Sequence, residues 1–364
     1  MSLLVNRSKA PHDYLLKHWE EFWVVHQPFL LEQGYRLPDR YDPNWIPSWR
    51  GKKKADPFRS PDSSCLQRWR VLDAYRISDG VRVMLKVVEV KEDIPILEYL
   101  GSPALRADKR NHTVPILDKV PVPGEDGRVW IVMPYLLRFQ AFVHPFQYVS
   151  EIVECIGQFL EGLEFMHEHG VAHRDACFFN LMVDSAKLVP DGDISLNIPY
   201  MTIDKCRYVK PVVRRSVAPL AYYFIDFEAS VRFPPEEKNP RCVGIFGQEP
   251  SVPELSDTVP YDPFMVDVYQ LGSIFPRLFR DYDGMEFLIP LYQAMTYPDP
   301  RRRPTAAQAN SLYNEIISGF SESDMAQRIW DKRISLKHRR KIEFPQPKRT
   351  MRTRISSFFH IKVQ

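Results

Sequence analysis

No run of about 18 apolar residues, the length a membrane-crossing helix needs, occurs anywhere in the 364-residue chain. The opening stretch, MSLLVNRSKAPHDYLLKHWEEF, has neither the apolar core nor the cleavage site of a secretory leader. Cysteine is sparse: Cys65, Cys155, Cys177, Cys206 and Cys242 are odd in number, widely spaced and without a C-x-x-C pair, which argues against a disulfide framework or a zinc site. There is no internal repeat and no DNA-binding motif. These absences lead to the expectation of a soluble cytoplasmic protein without a transmembrane segment. What is present is ample material for a core, 44% hydrophobic and 13% aromatic. The formal net charge of +3 hides an asymmetry, because Asp331 to Gln364 carries 11 Lys/Arg against 2 acids. That basic end is read first as a solvated extension, with contact to an anionic surface or a nuclear-import signal as the alternatives.

Hydrophobic patterning divides the chain. His12 to Val25 places Leu15, Trp19, Phe22 and Trp23 at helical spacing, and a Pro- and aromatic-rich extended stretch follows. Residues 68–90 hold two β-rich runs around Asp79-Gly80, and 113–136 repeat the arrangement around Gly124-Glu125-Asp126-Gly127, so two hairpins are expected. From Ser150 onward the period becomes helical: Ile152, Ile156, Phe159, Leu163 and Met166 share a face, with Ser150 as N-cap and Gly170 as terminator. Further helices are expected over 264–279, 285–296 and 305–320. The reading is α+β, with a small antiparallel β-rich lobe, a mainly helical lobe and a cleft between them. The expected division is 1–60 as an N-terminal extension, 61–136 and 137–322 as the two lobes, and 323–364 as a basic tail.

The chemistry is concentrated at VAHRDACFFNLMVD, Val171 to Asp184, where Asp175 precedes Asn180 by five positions. A carboxylate can take a proton from an acceptor hydroxyl while an amide one loop turn later holds a metal ion. With His173 and Arg174, this matches the H-R-D-x-x-x-x-N catalytic loop, and the chain resembles the eukaryotic protein kinases. Asp226-Phe227 in YYFIDFEAS resembles D-F-G, Lys86 in VMLK the Lys of V-A-I-K, and Val252-Pro253-Glu254 the A-P-E triplet. Asp267 and the stretch DPRRRPTA, with Arg303, complete the order over about 65–320. The Trp- and Pro-rich lead-in RYDPNWIPSW and the long run before YYFIDF are also similar to a divergent group of fungal kinase-like proteins. The resemblance implies a two-lobed fold, Mg²⁺ and ATP as cofactors, and protein Ser/Thr hydroxyls as acceptors. It assigns Asp175, Lys86 and Asn180 to catalysis, Asp226 and Asn180 to the metal, and Met84, Met133 and Tyr135 with Lys86 to the nucleotide. His173, Arg174, Phe227, Glu254, Asp267 and Arg303 become structural, with Glu254 expected to pair with Arg303.

Five departures bear on activity. Ser64, Leu66 and Trp69 stand at the glycine-rich loop's glycine positions, where only glycine lets backbone N–H groups approach phosphates closely. Met84 replaces the Ala that roofs the adenine. The helix carboxylate that pairs with Lys86 has only Asp93, with Glu92 beside it, as a counterpart. Cys177 replaces a Lys near the γ-phosphate, and a neutral packed thiol is expected there. Glu228 replaces the D-F-G glycine, and its charge beside Asp226 could bind or misplace a cation. An active kinase and a pseudokinase acting as a binding module therefore both stay open, with the retained metal and base positions favouring catalysis. Asn180 and Asp226 are 46 positions apart, and the extra run of about 185–220, with Arg207, Lys210, Arg214 and Arg215, is expected as a solvated loop near the cleft. Arg174, which in many kinases binds an activation-loop phosphate, is expected to pair with Glu236, Glu237 or Glu249 instead.

Overall fold

Asp79-Gly80 turns the chain between two strands that both alternate, and this alternation builds the first layer. The computed structural model describes residues 14–52, 55–63, 69–91, 94–140, 145–189, 194–195, 201–203, 207–209, 219–337 and 339. The first elements are α1 (Glu21–Glu32), β1 (Tyr35–Arg36), β2 (Val71–Arg76), β3 (Arg82–Glu89), α2 (Ile94–Leu100), α3 (Pro103–Arg106), β4 (Asp118–Pro121) and β5 (Arg128–Pro134). Their strands form one antiparallel sheet in the order β1-β2-β3-β5-β4. Odd positions of β3, Val83, Leu85 and Val87, join Leu72, Ala74, Trp130 and Val132 in a core closed by Trp23 and Leu30 of α1 and by Tyr35. Even positions face the other way: Met84 and Val88, with Ile131 and Met133, belong to the larger core of the helical part. Arg82 and Lys86 share that inward face. Burying a ring such as Trp23 or Trp130 removes roughly 150–250 Å², an upper bound of about 4–6 kcal/mol each.

The N-terminal helix differs from expectation. It begins at Glu21 and runs through Pro28 to Glu32, because Trp23 and Leu30 dock on the sheet and outweigh the one backbone bond the proline removes. The expected start at His12 lies outside the described residues. A buried ion pair ties this segment down: Arg40 donates to both Glu20 oxygens at 2.7 and 2.8 Å and to the carbonyls of Tyr14, Leu15 and Asp62.

The second layer comprises β6 (Leu137–Arg138), α4 (Val149–Glu168), β7 (Val171–Ala172), β8 (Leu181–Val183), β9 (Tyr222–Phe224), β10 (Val231–Arg232), α5 (Pro263–Gly272), α6 (Phe275–Asp281), β11 (Tyr282–Asp283), α7 (Ile289–Met295), α8 (Ala306–Ser318), α9 (Glu322–Met325) and β12 (Trp330–Asp331). All five stripe residues of α4 are buried, but the helix starts at Val149 after Tyr148, so Ser150 is inside it and not its cap. The helix expected over 264–279 is two, because the Pro276 ring would clash with the Gly272 carbonyl. Thr305 caps α8 with a reciprocal bond to Gln308. The expectation of a solvated loop over 185–220 holds for only some of its described residues: Lys187, Arg207 and Tyr208 are exposed, but others are not. Leu188, Val189, Ile194 and Leu220 are buried in the main core; Lys210, Arg214 and Arg215 lie outside the described residues. The tail likewise starts packed: β12 pairs with β11, and Arg339 reaches Asp283 at 2.7 Å. No described helix is long and apolar enough to cross a membrane.

Candidate active site

Two helices hold the loop that follows α4. Gly170 ends the first with φ of 72°, and a Cβ there would lie 2.4 Å from the Phe233 carbonyl, so only glycine fits this turn. β7 then pairs with β10, and α5 presents Asp267 from beneath. The buried Asp267 carboxylate accepts from the backbone N–H groups of His173 (2.7 Å) and Arg174 (2.6 Å), and His167 Nε2 donates to it at 3.0 Å. One turn further on, Gln270 donates to the Arg174 carbonyl and accepts from Ala176 N–H, both at 3.0 Å. These bonds keep Arg174 at φ of 64°, one of two described non-glycine residues with positive φ; the other is Asp226 at 68°. Such conformations persist only where the surroundings enforce them. His173 is fully buried, and burial pushes its pKa below the ordinary value. Its neutral ring accepts from Asp175 N–H through Nδ1 and donates from Nε2 to the Ile225 carbonyl.

Asp175 is only 7% exposed. Asn180 Nδ2 donates to its carboxylate at 2.8 Å and to its carbonyl at 2.9 Å. Gln248, from the stretch ahead of Val252-Pro253-Glu254, donates to the other carboxylate oxygen through its backbone N–H at 2.7 Å, and through Nε2 to Asp175 and, at 3.5 Å, to Asn180 Oδ1. Gly247 makes this approach possible: at φ of 91° a Cβ would sit 2.9 Å from Asp175 Oδ1. Cys177 is buried, and burial followed by the Asp175 charge raises its thiol to about 12, so it is a neutral packed group.

Pairing of Leu181 with Phe224 in β8 and β9 sets Asp226 beside the loop, and Ile225 N–H donates to the Asn180 carbonyl at 3.0 Å. Lys86, from β3, meets Asp226 Oδ1 and Glu228 Oε1, each at 2.7 Å. Burial alone would lower the Lys86 pKa; the charges of Asp226 and then Glu228 outweigh it and leave the pKa raised. Phe227 packs on the His173 ring at 4.7 Å between centroids. The structure thus brings Lys86, Asp175, Asn180 and Asp226 to one place. Away from it, Arg303 holds Glu254 at 2.7 Å and also donates to the carbonyls of Met265 and Tyr297.

The other end of the inward sheet face is filled by the chain itself. Met84 and Met133 are cross-strand partners. Beside them Arg82 pairs with Asp73 at 2.7 Å, lies 4.2 Å over the Tyr135 ring and donates to the Ile194 carbonyl at 2.8 Å. Trp69 accepts from Trp23 Nε1 through its carbonyl, while Ser64, Leu66, Glu92 and Asp93 lie outside the described residues. Arg174 takes none of the expected acids. Its guanidinium donates to the Val243 carbonyl at 3.0 Å and the Tyr261 hydroxyl at 3.2 Å, with Phe246 stacked at 4.3 Å. Glu249 and Glu237 instead close local turns with Ser251 and Asn239. Sequence reading missed Gln248, Gln270 and the Arg82–Asp73 pair; only Gln270 left a signal, three residues after Asp267 on one helix.

The chain is similar to a yeast kinase. It is 26% identical over 169 residues to the serine/threonine-protein kinase oca2 of Schizosaccharomyces pombe. The matched stretch is 45% of this chain and 21% of that kinase's length. No family model matches the sequence. The relationship is kinase-like and distant.

Proposed function

We propose that the chain is a two-lobed, protein-kinase-like phosphotransferase that moves the γ-phosphate of Mg-ATP to a serine or threonine hydroxyl of a protein. The observation that carries this reading is the convergence of Lys86, Asp175, Asn180 and Asp226 from three separate stretches, with the backbone around Asp175 held by Asp267 and Gln270. Asp226 and Asn180 are the residues that would hold Mg²⁺, and their chemistry fits a hard cation. Asn180 spends its Nδ2 on Asp175, so its donor oxygen would be Oδ1, once the long contact from Gln248 Nε2 at 3.5 Å is given up. Bound Mg-ATP would supply the phosphoryl group and screen its charge. Lys86 would neutralise phosphate oxygens from the sheet side. Asp175 would take the acceptor proton once Gln248 withdraws from its carboxylate. The Glu254–Arg303 pair, with Arg303 buried, supports a rigid platform for a protein acceptor.

The filled end of the sheet face favours a second reading. Arg82, Tyr135 and Ile194 occupy the side of Met84 where a nucleotide base would enter, and Asp175 accepts bonds on both oxygens. A pseudokinase that uses this fold to bind a partner accounts for both. The test is transfer of labelled γ-phosphate from Mg-ATP to a Ser/Thr/Tyr peptide library by wild type, Asp175→Asn and Asp226→Asn. Incorporation lost in both variants supports the enzyme; no incorporation by folded wild type supports the pseudokinase.

A further inference from the structure

Lys86 is held twice, and one of its two carboxylates has no assigned purpose. Asp226 and Glu228 each touch Nζ at 2.7 Å, and Arg70 approaches the same Glu228 oxygen at 3.7 Å. Arg70 is fixed next to the Lys86 strand because Val87 N–H donates to its carbonyl at 2.8 Å. The helix after β3 offers little in competition: its described carboxylate, Glu98, is half exposed and paired with Lys119. Among the described residues, the charges that hold Lys86 both come from the segment beginning at Asp226.

A carboxylate that turns toward a divalent cation gives up part of its hold on an ammonium group. Asp226 cannot serve both equally, and Lys86 on a flexible four-carbon stem would then lose its orientation. Glu228, two residues along and on the rim, can keep it. We propose that Glu228 is the positioning residue for Lys86, holding the ammonium group in place while Asp226 engages the metal. This rests on the phosphotransferase reading for its purpose, although the contact with Lys86 stands on its own. It carries an unusual consequence: restoring the kinase glycine at 228 impairs the site.

The experiment uses the full chain with Glu228→Gln, Glu228→Gly, Lys86→Met and the double variant Lys86→Met/Glu228→Gln. The first readout is the rate of Lys86 acylation by an amine-reactive ester, followed by peptide mass spectrometry without nucleotide. Removing one of the two carboxylates that hold the ammonium group releases it to reach the ester, so Glu228→Gln and Glu228→Gly should be acylated about tenfold faster at pH 8. The second readout is peptide phosphorylation: KM for Mg-ATP should rise about tenfold in either single variant at position 228. The double variant should be no worse than Lys86→Met, since Glu228 acts through Lys86. Unchanged acylation, or transfer by Glu228→Gly equal to wild type, overturns the proposal. If Glu228→Gly fails to fold, the nearly isosteric Glu228→Gln, at a 39% exposed side chain, decides. If wild type transfers no phosphate while Glu228→Gln still accelerates acylation, the phosphotransferase reading falls and the hold of Glu228 on Lys86 stands.

Discussion

Replacing Asp267 by asparagine changes one oxygen into an NH₂ group at a position where every neighbour is a donor. The carboxylate receives Arg174 N–H on Oδ1 at 2.6 Å, and His173 N–H and His167 Nε2 on Oδ2 at 2.7 and 3.0 Å. An amide can satisfy one side only. Its better orientation keeps the two bonds from His173 and His167 and turns the NH₂ toward Arg174 N–H. That loses one charge-assisted bond, about 1.5–3 kcal/mol, and leaves a buried N–H unpaired, with an overlapping cost of about 1–3 kcal/mol. A total of about 2–4 kcal/mol is expected. At about 2.1 cal/mol/K of unfolding entropy per residue, this lowers Tm by roughly 3–5 °C for a chain of this size. The local effect is larger, because Arg174 at φ of 64° has a conformation that costs about 1–2 kcal/mol and has lost one of the bonds that enforced it, leaving only the Gln270 bonds and the His173 anchor. Asp175 then moves with it. On the proposed phosphotransferase reading, phosphate transfer should fall about 100-fold or more, while far-UV circular dichroism stays unchanged. Thermal melting and peptide phosphorylation, run on Asp267→Asn and Asp267→Ala, measure both. A variant that melts within 1 °C of wild type and transfers at an equal rate refutes the argument that this carboxylate shapes the loop.

Arg40→Met should cost about 3–5 kcal/mol in urea unfolding, since it strands a buried Glu20. The double variant Glu20→Met/Arg40→Met should recover only part of that, because methionine cannot donate to the carbonyls that Arg40 serves; full recovery would contradict it. Cys177, with a thiol near 12, should be about one part in ten thousand thiolate at pH 8, so native protein should resist iodoacetamide there and denatured protein should not. His173 gives the pH dependence its sign. Its folded pKa lies below the ordinary 6.5, so the unfolded chain binds more protons between those values, and stability falls as pH drops from about 6.5. His173→Gln should flatten that part of the curve of unfolding midpoint against pH, and an unchanged slope would discard the assignment.

What could be read from the sequence was local. The α4 stripe follows from 3.6-residue periodicity, the two hairpins from Asp79-Gly80 and the Gly124 to Gly127 turn, and the five-position step from Asp175 to Asn180 from what one loop turn can reach. The contacts that decide whether the site is open were not readable. Gln248 meets Asp175 across 73 positions and Arg82 meets Ile194 across 112, and neither type of residue announces a partner at such range. Glu228 showed its charge in the sequence but not its direction, because Lys86 approaches it only once β3 has been laid across the loop. The expectation for Arg174 failed for a related reason: three nearby acids suggested an ion pair, yet Phe246, Tyr261 and the Val243 carbonyl arrive first.

The double-faced β3 strand has a practical consequence for anyone who cuts the chain by its motifs. A recombinant fragment beginning near residue 61 would retain every residue of the candidate site but would lose Trp23, Leu30 and the Tyr35–Arg36 strand. Trp130, Leu85 and Val87 would then face water, beside a β2 edge with free backbone donors and acceptors, and such an edge recruits another copy of itself. The fragment should collect in inclusion bodies, and its failure there would say nothing about whether the intact protein transfers phosphate.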